Sequence, residues 1–215
     1  PPSGGGAAVT FDAVSSTTSG LGIVTSASFT LTIVANTNMG AVVSVAESIT
    51  GSGALTVSVG GSSATLVTGT DATGVGTYRT RIYCVALGSL TGAQTVSVSG
   101  MTSNTPVIGA VSFTNVNQTT PCANGTAANG QAGASPTAFT VSVTSAVNDQ
   151  AFWTATSDSG TALTAATQTQ RYNVDNNFTT GAAGQTANGA ASVTGGWTTG
   201  AFGRWVISGL DVRHP

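Results

Sequence analysis

Few side chains in this sequence are equipped for chemistry. There is one histidine, His214, one pair of cysteines, Cys84 and Cys122, and seven acids: Asp12, Glu47, Asp71, Asp149, Asp158, Asp175 and Asp211. A hydroxyl nucleophile works only beside a positioned base. His214 stands one residue from the end of the sequence, where few neighbours are expected to orient it. No Ser-His-acid site is predicted. Glycoside hydrolysis needs two carboxyl groups facing each other across a cleft, whereas the acids are scattered over loops and strand ends with no spacing that favours a pair. The expectation is a chain that is not an enzyme, with no catalytic residues and no cofactor.

Cys84 and Cys122 lack zinc spacing, and too few His and Cys residues exist to complete a tetrahedral site. Two readings stand: a disulfide closing a loop of about 38 residues, worth roughly 3 to 4 kcal/mol, or one buried thiol and one loop thiol. A surface setting favours the first. Hard cations want clustered oxygens, and in NVDNN the side chains of Asn173, Asp175 and Asn177 are the calcium candidates. Against them, Asn and Asp crowd turns for backbone reasons alone and the spacing matches no EF-hand loop, so no metal is expected. Trp197 and Trp205 fall in strand-like runs and are expected in the core. Phe152 and Trp153 are adjacent and must face opposite sides of a strand, so one of them is expected to be exposed or to meet a neighbouring subunit.

These residues have to be positioned by strands. Ser26 to Val34, SASFTLTIV, alternates apolar and Ser/Thr residues, as does Ala54 to Val59, which ends at a Gly60-Gly61 hairpin signal. Ala41 to Val45 reads as a sheet interior, and Thr77 to Leu87 as the longest strand of the first half. In that strand Arg79 and Arg81 share a face, expected to look outward. Thr91 to Val98 is predicted as a strand and Gly100 to Pro106 as a turn into Val107 to Pro121, read as the central strand and its polar exit. Thr137 to Val143, Gln150 to Ser157, Thr167 to Tyr172, Gly189 to Trp197 and Gly203 to Val212 complete the series. No window carries a helical period. The pattern predicts an all-β fold: one antiparallel, jelly-roll-like β-sandwich domain over residues 1–215, with about a dozen short strands. Residues 1–7 are expected as an extended lead, and 122–136 and 173–188 as long loops.

Charged residues make up 6% of the chain, against a usual value of about 25%. All five basic residues are arginine, and lysine is absent. A net charge of -2 gives no field for nucleic acid, and no apolar run is long enough to insert in a membrane. The opening PPSGGG carries neither methionine nor a hydrophobic segment, so a removed leader or a longer parent product is expected. Natural sheets guard their edges with lysine, proline or inward charge, and near-zero net charge favours association. Edges here are therefore expected to be covered, or used to join other copies. A genome that prefers arginine and small residues is the competing explanation of the composition.

GAVSFTNVNQTTP (Gly109 to Pro121), TQTQRYN (Thr167 to Asn173) and SVTGGWTTGAFGRWVISGLDV (Ser192 to Val212) resemble a widespread group of uncharacterised β-sandwich domains. Such domains occur in bacterial surface proteins and in bacteriophage structural proteins. The resemblance implies a virion-surface, extracellular or cell-surface location, with copies of itself or other virion or surface proteins as partners. The function expected is a virion decoration or fibre component, or an extracellular filament subunit. A secreted adhesin or carbohydrate-binding module, with glycans as partners, is the alternative.

Overall fold

The computed structural model describes residues 7–18, 22–34, 37–49, 53–74, 76, 78–158, 162–175 and 181–215, and every structural statement below concerns these. They form an all-β molecule whose sheets are antiparallel. No helix is long and apolar enough to cross a membrane.

The first half holds β1 (Thr10–Thr18), β2 (Ile23–Ile33), β3 (Met39–Ile49), β4 (Thr56–Val59), β5 (Ser62–Leu66), β6 (Ala72–Thr73), β7 (Tyr78–Gly88) and β8 (Gly92–Thr114). The order β8-β3-β7-β5-β4 closes on itself, because β4 also pairs with β8 from Thr56 opposite Ser99 to Val59 opposite Val96. The result is a five-stranded barrel, with β1 and β2 paired to β8 outside the ring. Alternation explains the filling: Ala41, Val43 and Val45 of β3, Val57 and Val59 of β4, Tyr83 and Val85 of β7, and Val96, Val98, Ile108 and Ala110 of β8 all turn into one core.

The expected turn at Gly100 to Pro106 is instead part of β8, which runs unbroken for 23 residues. Gly100 (φ 87°) and Thr105 (φ 56°) adopt left-handed backbone within it, and the pairing slips in register alongside, between Val24 and Ser26 of β2 and between Ala46 and Ser48 of β3. Such irregularities bend a strand without ending it. The part of β8 read as central, from Val107, lies between β1 and β3.

The second half holds β9 (Cys122–Gln131), β10 (Thr137–Val143), β11 (Gln150–Ser157), β12 (Thr169–Asp175), β13 (Gly181–Asn188), β14 (Val193–Thr199) and β15 (Arg204–Val212). Five of these form the sheet β12-β13-β11-β15-β9, and β10 and β14 form a ribbon. One face of the sheet offers Phe152, Tyr172, Leu210 and Val212 to the outside of the barrel, where Val42, Ile82, Val111 and Phe113 meet them. The other face carries Trp153, Ala155 and Ile207 against Phe139, Val143 and Trp197 of the ribbon. Three layers result: barrel, sheet, ribbon.

Several expectations are corrected. Residues 122–136 are not mainly a loop, since 122–131 form β9; 173–188 likewise contain the end of β12 and all of β13. Both strands are rich in Gly, Ala and Asn, whose low strand propensity hides them in the sequence. They form because large side chains cover the small residues. A Cβ at Gly130 would lie 2.6 Å from the Trp205 ring, and one at Gly184 would lie 2.2 Å from the Tyr172 ring. Arg81 does not look outward but is buried in the barrel, because ring closure turns the face it shares with Tyr83 and Val85 inward, while the opposite face of β7, with Ile82, is covered by the five-stranded sheet. Phe152 and Trp153 are both fully buried, since the sheet between them is covered on each side. Of the expected lead, 1–6 lie outside the described residues.

Candidate functional site

Four places concentrate polar groups or unpaired backbone. The first is inside the barrel. Glu47 of β3 and Arg81 of β7 follow the inward alternation of their strands and are 0% and 1% exposed. Arg81 Nη2 donates to Glu47 Oε2 at 2.7 Å, and Nη1 donates to the Gly53 carbonyl at 2.6 Å. Glu47 Oε1 is buried with no hydrogen-bond partner among the described residues. Beside it, Arg79 pairs with Asp71 at 2.5 Å in a more exposed position.

The second is at the end of the sheet facing the ribbon. Ser145 donates to Asp211 Oδ1 at 2.5 Å, and Asp149 Oδ1 accepts from the His214 backbone N–H at 2.8 Å and lies 2.6 Å from His214 Nδ1. Nothing in the sequence marks these groups as neighbours, since His214 is 65 positions from Asp149 and Asp211 is 66 from Ser145. Burial pushes the Asp211 carboxyl up to about 7; the Ser145 hydrogen bond opposes this and the Asp149 charge adds to it. Ser145 gives its hydroxyl proton to Asp211 rather than to His214, and Gly189 packs over it so closely that a Cβ there would lie 2.5 Å from Ser145 Oγ. The group lacks the nucleophile-to-base hydrogen bond of a hydrolase.

The third is the junction of the two halves. Cys84 of β7 and Cys122 of β9 are joined by a disulfide, with Cα atoms 6.3 Å apart. It ties the barrel wall to the edge of the five-stranded sheet. An open groove of about 590 Å³ lies against it, with Leu66, Val67 and Thr120 among its lining residues.

The fourth is the outer edge of β2. This strand pairs with β8 and with no other strand. Its sequence, IVTSASFTLTI, contains neither a charge nor a proline over 11 residues. Ser26, Ser28, Thr30 and Thr32 are exposed on one face, while Leu31 and Ile33 are buried on the other.

Of the calcium candidates, Asn173 directs its amide Nδ2 to the Leu163 carbonyl at 2.6 Å, Asp175 ends β12, and Asn177 lies outside the described residues. Among the described residues no three His, Cys, Asp or Glu side chains are grouped to hold a metal. Trp197 is buried, and its Nε1 donates to Gln170 Oε1 at 3.3 Å. Trp205 is half-buried and stacks on Phe139 with ring centroids 4.6 Å apart.

No protein-family model matches this chain, and no curated protein matches it.

Proposed function

We propose that this chain is a non-enzymatic structural protein that assembles with copies of itself, as a virion decoration or fibre component or an extracellular filament subunit. The observation that carries this reading is the outer edge of β2. A row of unpaired backbone donors and acceptors is a template for another strand, and natural sheets blunt such edges with lysine, proline or inward charge. β2 has none of these over its 11 residues. A second copy adding its own strand satisfies those groups and covers the exposed Ile23 and Val34 at the two ends of the edge. The choice of a particle or filament rests on the resemblance of Gly109 to Pro121, Thr167 to Asn173 and Ser192 to Val212 to surface and bacteriophage domains; the closed five-stranded barrel is not part of a jelly roll.

Sedimentation of the wild-type protein and of the double variant Ser28→Lys/Thr30→Lys tests the proposal. Both positions are exposed, so the fold is retained while the edge gains two charges. The wild type is expected to sediment as an oligomer with well over about 1,000 Å² buried per contact, and the variant as smaller species. A wild type that remains monomeric at its highest soluble concentration, or a variant that assembles unchanged, rejects it. A second reading, a surface-displayed carbohydrate-binding module, is favoured by one separate observation, an open groove of about 550 Å³ lined by Arg171, Gln150 and Asn188 among others, with no Asp or Glu among its lining residues.

A further inference from the structure

The chain has five arginines. Arg79, Arg81 and Arg204 each pair with a carboxylate, those of Asp71, Glu47 and Asp158, and Arg213 is exposed beside Asp211. Arg171 is different. It is half-buried, and no acidic side chain pairs with it among the described residues. Burial alone lowers its affinity for the proton, with no carboxylate opposing the shift.

Its position is set by a bulge. In the pairing of β12 with β13, Gln170 faces Gln185 and Tyr172 faces Gly184, so Arg171 is the extra residue. Bulges re-aim a side chain out of the regular pleat. Here the guanidinium is laid 3.7 Å over the ring of Phe11, on β1, and its Nε donates to Thr186 Oγ1 at 2.7 Å. Stacking and the Nε bond fix the plane, while the terminal nitrogens have no hydrogen-bond partner among the described residues. That edge is the one with which a guanidinium takes a carboxylate through two parallel bonds.

The guanidinium lines an open groove of about 550 Å³ between β1 and the β12-β13 side of the sheet. Small-ligand sites run from about 300 to 1,000 Å³. The other lining groups include Gln150, Gln168, Asn188, Thr169 and Ser192, and no Asp or Glu is among them. Gln150 Nε2 donates to Asn188 Oδ1 at 2.7 Å, which orients both amides and leaves the Asn188 amide N–H groups and the Gln150 oxygen for a guest.

We infer that the groove around Arg171 is a binding site for a carboxylate-bearing sugar, of the uronic acid class. Arg171 takes the carboxylate and the neutral amides and hydroxyls take the ring hydroxyls. A single cation with no lysine or second arginine beside it matches one negative charge, not the double charge of a phosphate. The inference deepens the binding-module reading and does not depend on assembly through β2.

The test is a calorimetric titration of the whole protein with glucuronic acid, with glucose and with inorganic phosphate as the other arms. Glucuronic acid is expected to bind at least about tenfold more tightly than glucose, the range of a hydrogen-bonded charge, and more tightly than phosphate. Arg171→Gln removes that preference. Asn188→Asp places a negative charge in the groove while keeping the acceptor for Gln150, so it is expected to abolish glucuronic acid binding with an unchanged melting temperature. Equal binding of glucose, tighter binding of phosphate, no saturable response to glucuronic acid, or full binding by the folded Asn188→Asp variant each overturns the inference. The same titration on Ser28→Lys/Thr30→Lys, whose positions do not line the groove, reads binding separately from assembly.

Discussion

Glu47 and Arg81 share the barrel interior with valines, and the balance between them is uneven. Taking both charges out of water costs more than one hydrogen-bonded contact returns, and breaking such a pair is worse than never having made it. Glu47→Ala leaves the Arg81 guanidinium buried without its counter-charge, so chemical denaturation is expected to show a loss of about 3 to 5 kcal/mol. Replacing both, as Glu47→Leu/Arg81→Met, is expected to recover most of it. Asp211 gives a prediction in pH. Its folded value, about 7, lies above the ordinary 3.8, so the folded protein holds a proton that the unfolded chain releases across that window. The stability this contributes is fully present below about pH 4 and is lost as pH rises through about 7. Asp211→Asn keeps a donor toward Asp149 and an acceptor for Ser145 but cannot ionise. Thermal unfolding of the wild type is therefore expected to weaken relative to the variant as pH rises from about 4 through about 7. Parallel curves over that range contradict it. In the sequence, the alternation of TYRTRIYCVAL placed Arg79 and Arg81 on one face, yet it could not say that this face was interior. Where both faces of a strand are covered, the pattern loses its inside and outside.

At the scale of elements, strands with long β-branched runs were legible and strands of small residues were not. Thr137–Val143 and Gln150–Ser157 coincide with their predicted bounds, because alternation or a continuous apolar run marks them. β9 and β13 carry no such mark; their stability comes from Trp205 and Tyr172, contributed from elsewhere in the chain, lying over Gly130 and Gly184. The same long-range dependence governs the disulfide. β9 is an edge strand, paired only with β15, and the bond to Cys84 holds its first residue against the barrel. Mass spectrometry with and without reductant is expected to differ by two hydrogens. Cys122→Ser/Cys84→Ala is expected to lose about 3 to 4 kcal/mol by the loop-closure argument. Faster hydrogen exchange is expected first along β9, because the rest of the sheet retains neighbours on both sides or a packed face. Identical masses under both conditions mean that the thiols are free.

At the scale of the molecule, the question is whether barrel and sheet unfold together. Their shared surface is apolar at Phe152, Leu210, Val111 and Phe113. It also carries buried hydroxyl contacts: Tyr172 Oη lies 2.5 Å from Ser44 Oγ and 3.0 Å from Thr154 Oγ1, and Thr80 Oγ1 lies 2.6 Å from Ser208 Oγ. A Cβ at Gly109 would lie 2.3 Å from the Tyr172 ring, so the barrel wall comes within contact of the sheet where β8 has no side chain. Separating the halves would strip water-free polar groups of partners on both sides at once, and neither half offers an alternative cover. One cooperative transition is expected. All three tryptophans, Trp153, Trp197 and Trp205, belong to the second half, so fluorescence reports that half while far-ultraviolet dichroism reports both. The two probes are expected to give one coincident curve. Phe152→Ala, which empties the middle of the shared surface, is expected to shift both curves together by about 3 to 5 kcal/mol. If fluorescence moves while part of the dichroism stays behind, the barrel stands without the sheet, and the two halves are separate folding units.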